Sequence, residues 1–358
     1  MARARGAARG AAAQPHGQGA QARTAPGDRL LMVPAGICSS AFARAFAELA
    51  ADRWGFLVIL GAFRGNRRFQ DWERSAGFTP SVLANRLRHM VEVGVLRQRP
   101  IDGNGDRLEY RLTDKGLGLH AWALAVWRWE RDWHEIASVA DDGRFPVLVH
   151  RSCEAETTPQ FVCDCCAAPL EPEAVRWRAG PGLDDHNYLA GLTSRRAESS
   201  ASDARPKYAG GAFDLIGDRW TLALTVALFQ GIRRYEALRT EVGVSTNILA
   251  LRLKRMVEDG LIARERQGEH SERFEYTLTD KGRALYPVVL GLTQWADRWL
   301  SGKDGIRFRM HHMGCGADCR TEVRCDVCAQ PLTPHDVAVR LVSGKELERA
   351  RRRRKKNI

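Results

Sequence analysis

Two stretches of this chain carry residue types able to hold a metal: His150-x-x-Cys153-x9-Cys163-x-x-Cys166 and His312-x-x-Cys315-x9-Cys325-x-x-Cys328, with identical internal spacing. Imidazole and thiolate are borderline-soft donors, and two pairs of them, each two residues apart, suit tetrahedral zinc. Each stretch runs on into Pro-Leu (Pro169-Leu170, Pro331-Leu332) and a short polar segment, as a zinc ribbon does. Four protein ligands close the coordination sphere and leave no position for a substrate, so two structural Cys3His sites are expected, one in each stretch. Cys165 and Cys319 stand outside the pattern, and redox-active or unligated cysteine pairs are the alternative. Eight of the nine cysteines fall at 153–166 and 315–328, which argues against disulfide stapling and puts metal binding forward.

The elements that position these residues repeat as well. Asp52-Arg53-Trp54 recurs 166 positions on as Asp218-Arg219-Trp220, and the offset holds from Arg67-Arg68-Phe69 against Arg233-Arg234-Tyr235 to Trp129 and Trp133 against Trp295 and Trp299. Between those limits, Glu109-Tyr110-Arg111-Leu112-Thr113-Asp114-Lys115-Gly116 matches Glu275-Tyr276-Thr277-Leu278-Thr279-Asp280-Lys281-Gly282. The chain is a duplicated unit.

Within copy one, Phe42, Phe46, Leu49 and then Trp54, Leu57, Val58 and Leu60 follow helical spacing and give two helices that end near Gly65. A third helix runs from Phe69 to Ser75, and Gly77-Phe78 makes a turn. Thr79 then serves as N-cap with Pro80 at the first helical position of a fourth helix. Its apolar face is Val82, Leu83, Leu87 and Met90; Ser81, Ala84, Asn85, Arg88 and Glu92 face outward. Two alternating runs, 95–99 and 108–112, flank the turn Asp102-Gly103-Asn104-Gly105-Asp106 and make a hairpin. Thr113-Asp114-Lys115-Gly116 is expected to cap a last long helix with Leu119, Trp122, Val126, Trp129 and Trp133. Copy two repeats the order, with Ser245 as N-cap, Asn247, Ala250, Leu251 and Lys254 outward, and a hairpin turn at 267–271. Helix, turn, helix, then hairpin is the winged helix-turn-helix order.

The expected fold is α+β, mainly α: two tandem winged helix-turn-helix domains, each followed by a small Cys-rich, zinc ribbon-like segment. The divisions are a basic tail at 1–29, winged helix one at 38–137, Cys-rich segment one at 145–178, a Gly/Ser-rich linker at 179–206, winged helix two at 207–302, Cys-rich segment two at 306–342 and a basic tail at 345–358. A formal net charge of +12 favours a polyanionic partner. No apolar run approaches the ~18 residues a membrane span needs, and the first residues lack a signal-peptide core, so the cytoplasm is the expected location. No Gly-rich phosphate loop, nucleophile elbow or metalloprotease motif is present, which argues against an enzyme.

These motifs resemble those of the HxlR family of winged-helix regulators. The pattern reads here as Asp218-Arg219-Trp220, Arg234-Tyr235, Ser245-Thr246-Asn247-Ile248-Leu249-Ala250-Leu251-Arg252-Leu253 and Glu275 to Gly282. The resemblance covers both copies, more closely the second, and implies transcription control by dimers on DNA. Family members often carry a sensing Cys 13 residues before the Trp; Ala41 and Lys207 occupy those positions here, and Cys38 lies three residues too early.

In a helix-turn-helix the second helix enters the major groove while neighbouring groups hold phosphates. Arg88 and Lys254 are placed for a guanine edge or a phosphate, Asn85 for adenine, and Ser81 and Asn247 for either, with Thr79 and Ser245 at the helix starts. Arg86 and Arg252 lie beside the apolar stripe, where a structural ion pair or a phosphate clamp is expected rather than base reading. Hairpin cations Arg97, Arg99, Arg107, Arg264, Arg266 and Arg273 would add backbone contacts; the alternative is a solvated strand face. The expected partner is double-stranded DNA, bound by an internal pseudo-dimer able to pair further as a homodimer, under an inducer the sequence does not identify. A protein-interaction scaffold is the competing reading. Trp129/Trp133 and Trp295/Trp299 either join the copies or fill each copy's own core, the second being favoured for at least half of them.

Overall fold

The computed structural model describes residues 44–46, 48–49, 53–101, 107–133, 144–181, 217–266, 273–301, 303, 305–306 and 308–346. The expected N-terminal tail, all but the first two residues of the expected C-terminal tail, nearly all of the linker, both hairpin turns, and Cys38, Ala41, Phe42, Asp52 and Lys207 lie outside the described residues.

In chain order, the first copy comprises α1 (Arg53–Phe63), α2 (Phe69–Ala76), α3 (Pro80–Glu92), β1 (Leu96–Pro100), β2 (Leu108–Leu112), a single-turn α4 (Asp114–Leu117) and α5 (His120–Trp133). Its Cys-rich segment follows as β3 (Phe145–His150), β4 (Gln160–Cys163) and β5 (Val175–Ala179). The second copy comprises α6 (Arg219–Phe229), α7 (Tyr235–Val242), α8 (Thr246–Glu258), β6 (Ile262–Arg266), β7 (Phe274–Leu278), α9 (Asp280–Arg283) and α10 (Tyr286–Leu300). Strands β8 (Phe308–His312), β9 (Ala317–Cys319), β10 (Thr321–Arg324) and β11 (Val337–Val342) close the described chain.

The helix-turn-helix follows from local chemistry in both copies. α2 ends at Gly77 and α7 at Gly243, with φ of 64° and 68°, a left-handed conformation that costs a residue with a Cβ about 1–2 kcal/mol. Thr79 and Ser245 then enter the next helix in extended conformation, as expected of N-caps, although neither side chain makes the capping bond. Leu83, Leu87 and Met90 of α3, and Leu249, Leu253 and Met256 of α8, are buried at a four- and three-residue repeat. Each hairpin is antiparallel, from Leu96 opposite Leu112 to Pro100 opposite Leu108, and from Ile262 opposite Leu278 to Arg266 opposite Phe274.

The last helix departs from expectation. Thr113 caps only the single turn α4: its Oγ1 accepts from the Gly116 amide and donates to the carbonyls of Gly94 and Val95. Gly118 and Leu119 then intervene before α5 begins at His120. Thr279 does the same ahead of α9 and α10. A Cβ on Gly116 would stand 2.2 Å from the Val95 carbonyl oxygen, and one on Gly282 2.1 Å from that of Leu261, so this turn tolerates glycine alone.

α5 packs against α10, which makes the two copies one body. The backbones approach closely at Gly291, whose Cβ would stand 2.9 Å from Trp122 Cα. The Trp129 indole donates to the Lys281 carbonyl at 3.0 Å, and the Trp295 indole donates to the Lys115 carbonyl at 2.8 Å. The ammonium of each of those lysines lies 5.7 Å from the centroid of the ring that its own carbonyl holds. Trp299 packs against Gly118 of the other copy, where a Cβ would stand 2.6 Å from its Nε1. Three of the four tryptophans therefore meet the opposite copy, more than expected, and Trp133 stays 39% exposed.

The Cys-rich segments differ most from the sequence reading, because they exchange strands. β3 pairs with β11 (His150 opposite Val337), β5 with β8 (Val175 opposite His312) and β4 with β10 (Cys163 opposite Thr321), all antiparallel. Two separate modules, one behind each winged helix, are replaced by a single joint built from both segments.

Candidate metal centres and nucleic-acid interface

The strand exchange decides which ligands meet. His150 and Cys153 meet Cys325 and Cys328; Cys163 and Cys166 meet His312 and Cys315. In each group the ligand atoms lie within 4.8 Å of one another. All eight expected residues fall into these two groups, but the grouping within one segment is corrected: each group takes a His-x-x-Cys from one copy and a Cys-x-x-Cys from the other. Within a segment, β3 and β4 run to different partners, so its two ligand pairs part.

The separations suit zinc. Bonds of ~2.3 Å to sulfur and ~2.0–2.1 Å to nitrogen give tetrahedral edges of roughly 3.8 Å between sulfurs and roughly 3.6 Å from nitrogen to sulfur. In the first site Cys153 and Cys325 sulfurs lie 3.9 Å apart, with His150 Nδ1 3.4 Å from Cys153 and 3.2 Å from Cys328. In the second, Cys163 and Cys315 lie 3.9 Å apart, with His312 Nδ1 3.4 Å from Cys315 and 3.3 Å from Cys166.

The backbone prepares the thiolates. The residue after each second ligand has positive φ: Glu154 (55°), Ala167 (59°), Gly316 (69°) and Ala329 (57°). Three of these four carry a Cβ, a cost of order 1–3 kcal/mol each that persists only where the surroundings impose it. The turns aim amides at sulfur. Burial pushes the Cys325 thiol up, but the neighbouring Thr157 hydroxyl and the Cys328 and Val327 amides outweigh it and bring the thiol down to about 7. Cys163 is likewise drawn down, against burial, by the amides of Cys166 and Cys165. The Asp326 carboxylate accepts from Thr157 Oγ1 and the Thr158 amide, and Asp164 accepts from the Arg320 amide, so each Cys-x-x-Cys turn is pinned to the opposite copy. Cys165, beside Asp164, is pushed up to about 11.

The second candidate surface lies on α3 and α8. Ser81, Asn85 and Arg88 are exposed, with Arg88 Nη1 donating to Asn85 Oδ1 at 3.0 Å. Asn247 and Lys254 are exposed, with Lys254 Nζ 3.8 Å from Glu258. Leu251, in the place of Asn85, is 60% exposed. Arg252 does not face outward. Its Nε lies 2.9 Å from Asp218 Oδ2, which also accepts from the Thr221 amide and hydroxyl, a framework ion pair. Asp218 thereby gives the Asp-Arg-Trp motif a physical role: it caps α6 and fastens α8 to it. Asp218→Ala is expected to lower stability by about 1–3 kcal/mol, and Asp218→Asn by less, in denaturant unfolding. Arg86 is half-buried on the same flank of α3.

Along the hairpins, Arg97, Arg107 and Arg273 are exposed. Arg99 is held by Glu109 at 2.6 Å together with Arg111, a pairing not legible beforehand, and Arg264 sits 3.8 Å from the Phe274 ring centroid. Those guanidiniums are partly committed within the protein, nearer the solvated strand face than the phosphate clamp.

Helix, turn, helix and hairpin, twice over and joined through α5 and α10, define a tandem winged helix-turn-helix protein. The chain belongs to the HxlR-like helix-turn-helix family, whose pattern matches residues 49–138 and 215–304, together just over half the chain. The Cys-rich segments lie outside both matches. An uncharacterized HTH-type transcriptional regulator of Mycobacterium tuberculosis is 34% identical over 128 residues, covering 36% of this chain and 81% of that protein. The uncharacterized HTH-type transcriptional regulator YvaP of Bacillus subtilis is 32% identical over 25% of this chain and 83% of its own length. The HTH-type transcriptional regulator YodB, of the same organism, is 31% identical over 26% of this chain and 86% of its own length. Among the described residues, no helix is long and apolar enough to cross a membrane.

Proposed function

We propose that this chain is a DNA-binding transcription regulator that acts in the cytosol and reads an operator as a single-chain pair, α3 in one half-site and α8 in the other. The carrying observation is that corresponding faces of these two helices are exposed in a helix-turn-helix family while their residues differ. Asn85 is suited to an adenine edge, whereas Leu251 in its place offers only apolar contact, which suits a thymine methyl. The operator should therefore have two unlike half-sites, about 34–36 Å apart if the copies pair as such dimers do. Arg88, Lys254, Ser81 and Asn247 are the groups that reach bases or phosphates; Arg97, Arg107 and Arg273 add phosphate contacts that fade with salt.

The donor set and its spacing support zinc in both Cys3His centres, each closed by four protein ligands and therefore structural. The metals would hold β3, β4 and their partners together and so fix how the two winged helices face one operator.

Arg88→Ala combined with Lys254→Ala is expected to weaken binding to DNA upstream of the gene, each change costing about 1–3 kcal/mol if it reads a base. A gel shift at fixed salt measures this. Unchanged affinity would remove these helices as the reading surface and favour a protein-interaction role.

A further inference from the structure

The two candidate metal centres are related by the duplication, yet they are not chemically equivalent. In the first, the position beside Cys325 holds Thr157, whose hydroxyl donates to Asp326, and the middle of the Cys-x-x-Cys turn holds Val327. In the second, the corresponding positions hold thiols: Cys319 takes the place of Thr157 and Cys165 that of Val327. Cys319 is buried in the same small apolar cluster as Cys163, which stands opposite Thr321 in the strand pair. Cys165 is exposed, its ligand atom within 4.8 Å of that of Cys163. The second centre is also more open: Cys166 and Cys315 are exposed, whereas their counterparts Cys328 and Cys153 are only partly so. A hydroxyl and a valine cannot be oxidised by a mild oxidant; two thiols against a metal-bound thiolate can.

We propose that the Cys163–Cys166–His312–Cys315 centre is an oxidant-labile zinc site, and that the His150–Cys153–Cys325–Cys328 centre is its oxidation-resistant twin. The inference rests on the zinc reading given above. The oxidant is a hydroperoxide. The Cys163 thiolate attacks the O–O bond: an S–O bond forms, the O–O bond breaks, and hydroxide leaves. Cys319 sulfur then attacks the sulfenic sulfur: an S–S bond forms, the S–O bond breaks, and hydroxide leaves with the Cys319 proton as water. Two thiol sulfurs are oxidised by two electrons in all, and one peroxide is reduced. Zinc loses the Cys163 ligand and is left with Cys166, His312 and Cys315, an open set that holds it less well. Because this centre takes ligands from both copies, its opening loosens one of the two metal-held fastenings between them while the other stays closed.

The test uses the full-length, zinc-loaded chain, hydrogen peroxide and a chromogenic zinc chelator. Wild-type protein should start with two zinc ions per chain, release one well before the other, and yield a Cys163–Cys319 disulfide in mapped peptides. Cys319→Thr with Cys165→Val, the residues the first centre uses, should keep both ions over the same interval. Thr157→Cys with Val327→Cys should make the first centre labile as well. Release of both ions together from wild-type protein, or undiminished early release from the Cys319→Thr, Cys165→Val chain, overturns the asymmetry. Protein that holds no zinc before peroxide is added overturns the metal assignment beneath it, a separate result read before any oxidant is used.

Discussion

A chain carrying Cys153→Ser and Cys163→Ser is expected to lose both metal ions, although the two residues stand in the same Cys-rich segment. Cys153 belongs to the site closed by Cys325 and Cys328, and Cys163 to the site closed by His312 and Cys315. Cys153→Ser with Cys325→Ser, one change in each segment, should instead empty a single site. Sites formed within a segment give the opposite pair of results, with one ion left in the first variant and none in the second. Elemental analysis of the purified chains decides between them, and circular dichroism separates metal loss from unfolding. Few pairs of point changes reverse their outcome so completely with the pairing of strands.

Trp129→Ala should be the most destabilising single change at the contact between the copies. The ring is 1% exposed, its indole donates to Lys281 of the other copy, and the Lys281 ammonium lies near its face. Truncating a buried tryptophan costs about 3–5 kcal/mol. Trp295→Ala should behave alike, from the reciprocal bond to Lys115. Phenylalanine at either position keeps most of the buried volume and loses the indole donor, about 1 kcal/mol. Chemical denaturation followed by tryptophan fluorescence and circular dichroism measures these differences. Equal stability of Trp129→Ala and wild type would mean that α5 and α10 do not depend on that contact.

Much of the winged helix was legible because its determinants are local. Gly77, Thr79 and Pro80 specify a turn and a helix start within four residues, and the Leu83, Leu87, Met90 stripe specifies the buried face. The same locality failed at Thr113. A Thr followed by Asp-Lys-Gly reads as the start of a long helix, whereas the clash that a Cβ on Gly116 would make with the Val95 carbonyl fixes a separate turn, and Val95 is remote in sequence. The fate of Arg252 was half legible: its place beside the apolar stripe pointed inward, but only the tertiary structure brings Asp218 to it. The ligand groups were not legible at all. Both Cys-rich segments have the same spacing, so a site within a segment and a site across segments look identical in sequence; the register of β3 on β11 and β5 on β8 separates them. The asymmetry of the two centres, by contrast, was present from the start in Cys165 and Cys319, which lacked a role until their neighbours were known.

The exchanged strands also govern the order in which this chain can be completed during synthesis. β3 and β5 leave the ribosome long before β8 and β11, the strands they pair with, and until then each presents unpaired backbone donors and acceptors. The first winged helix can fold as it emerges, but its Cys-rich segment must wait until β11 has been translated, a long-range closure that is slow by its topology. During that interval the half-built segment is open to pairing with a neighbouring nascent chain. Intertwined dimers, with strands swapped between molecules, are the expected by-product when translation is fast or crowded.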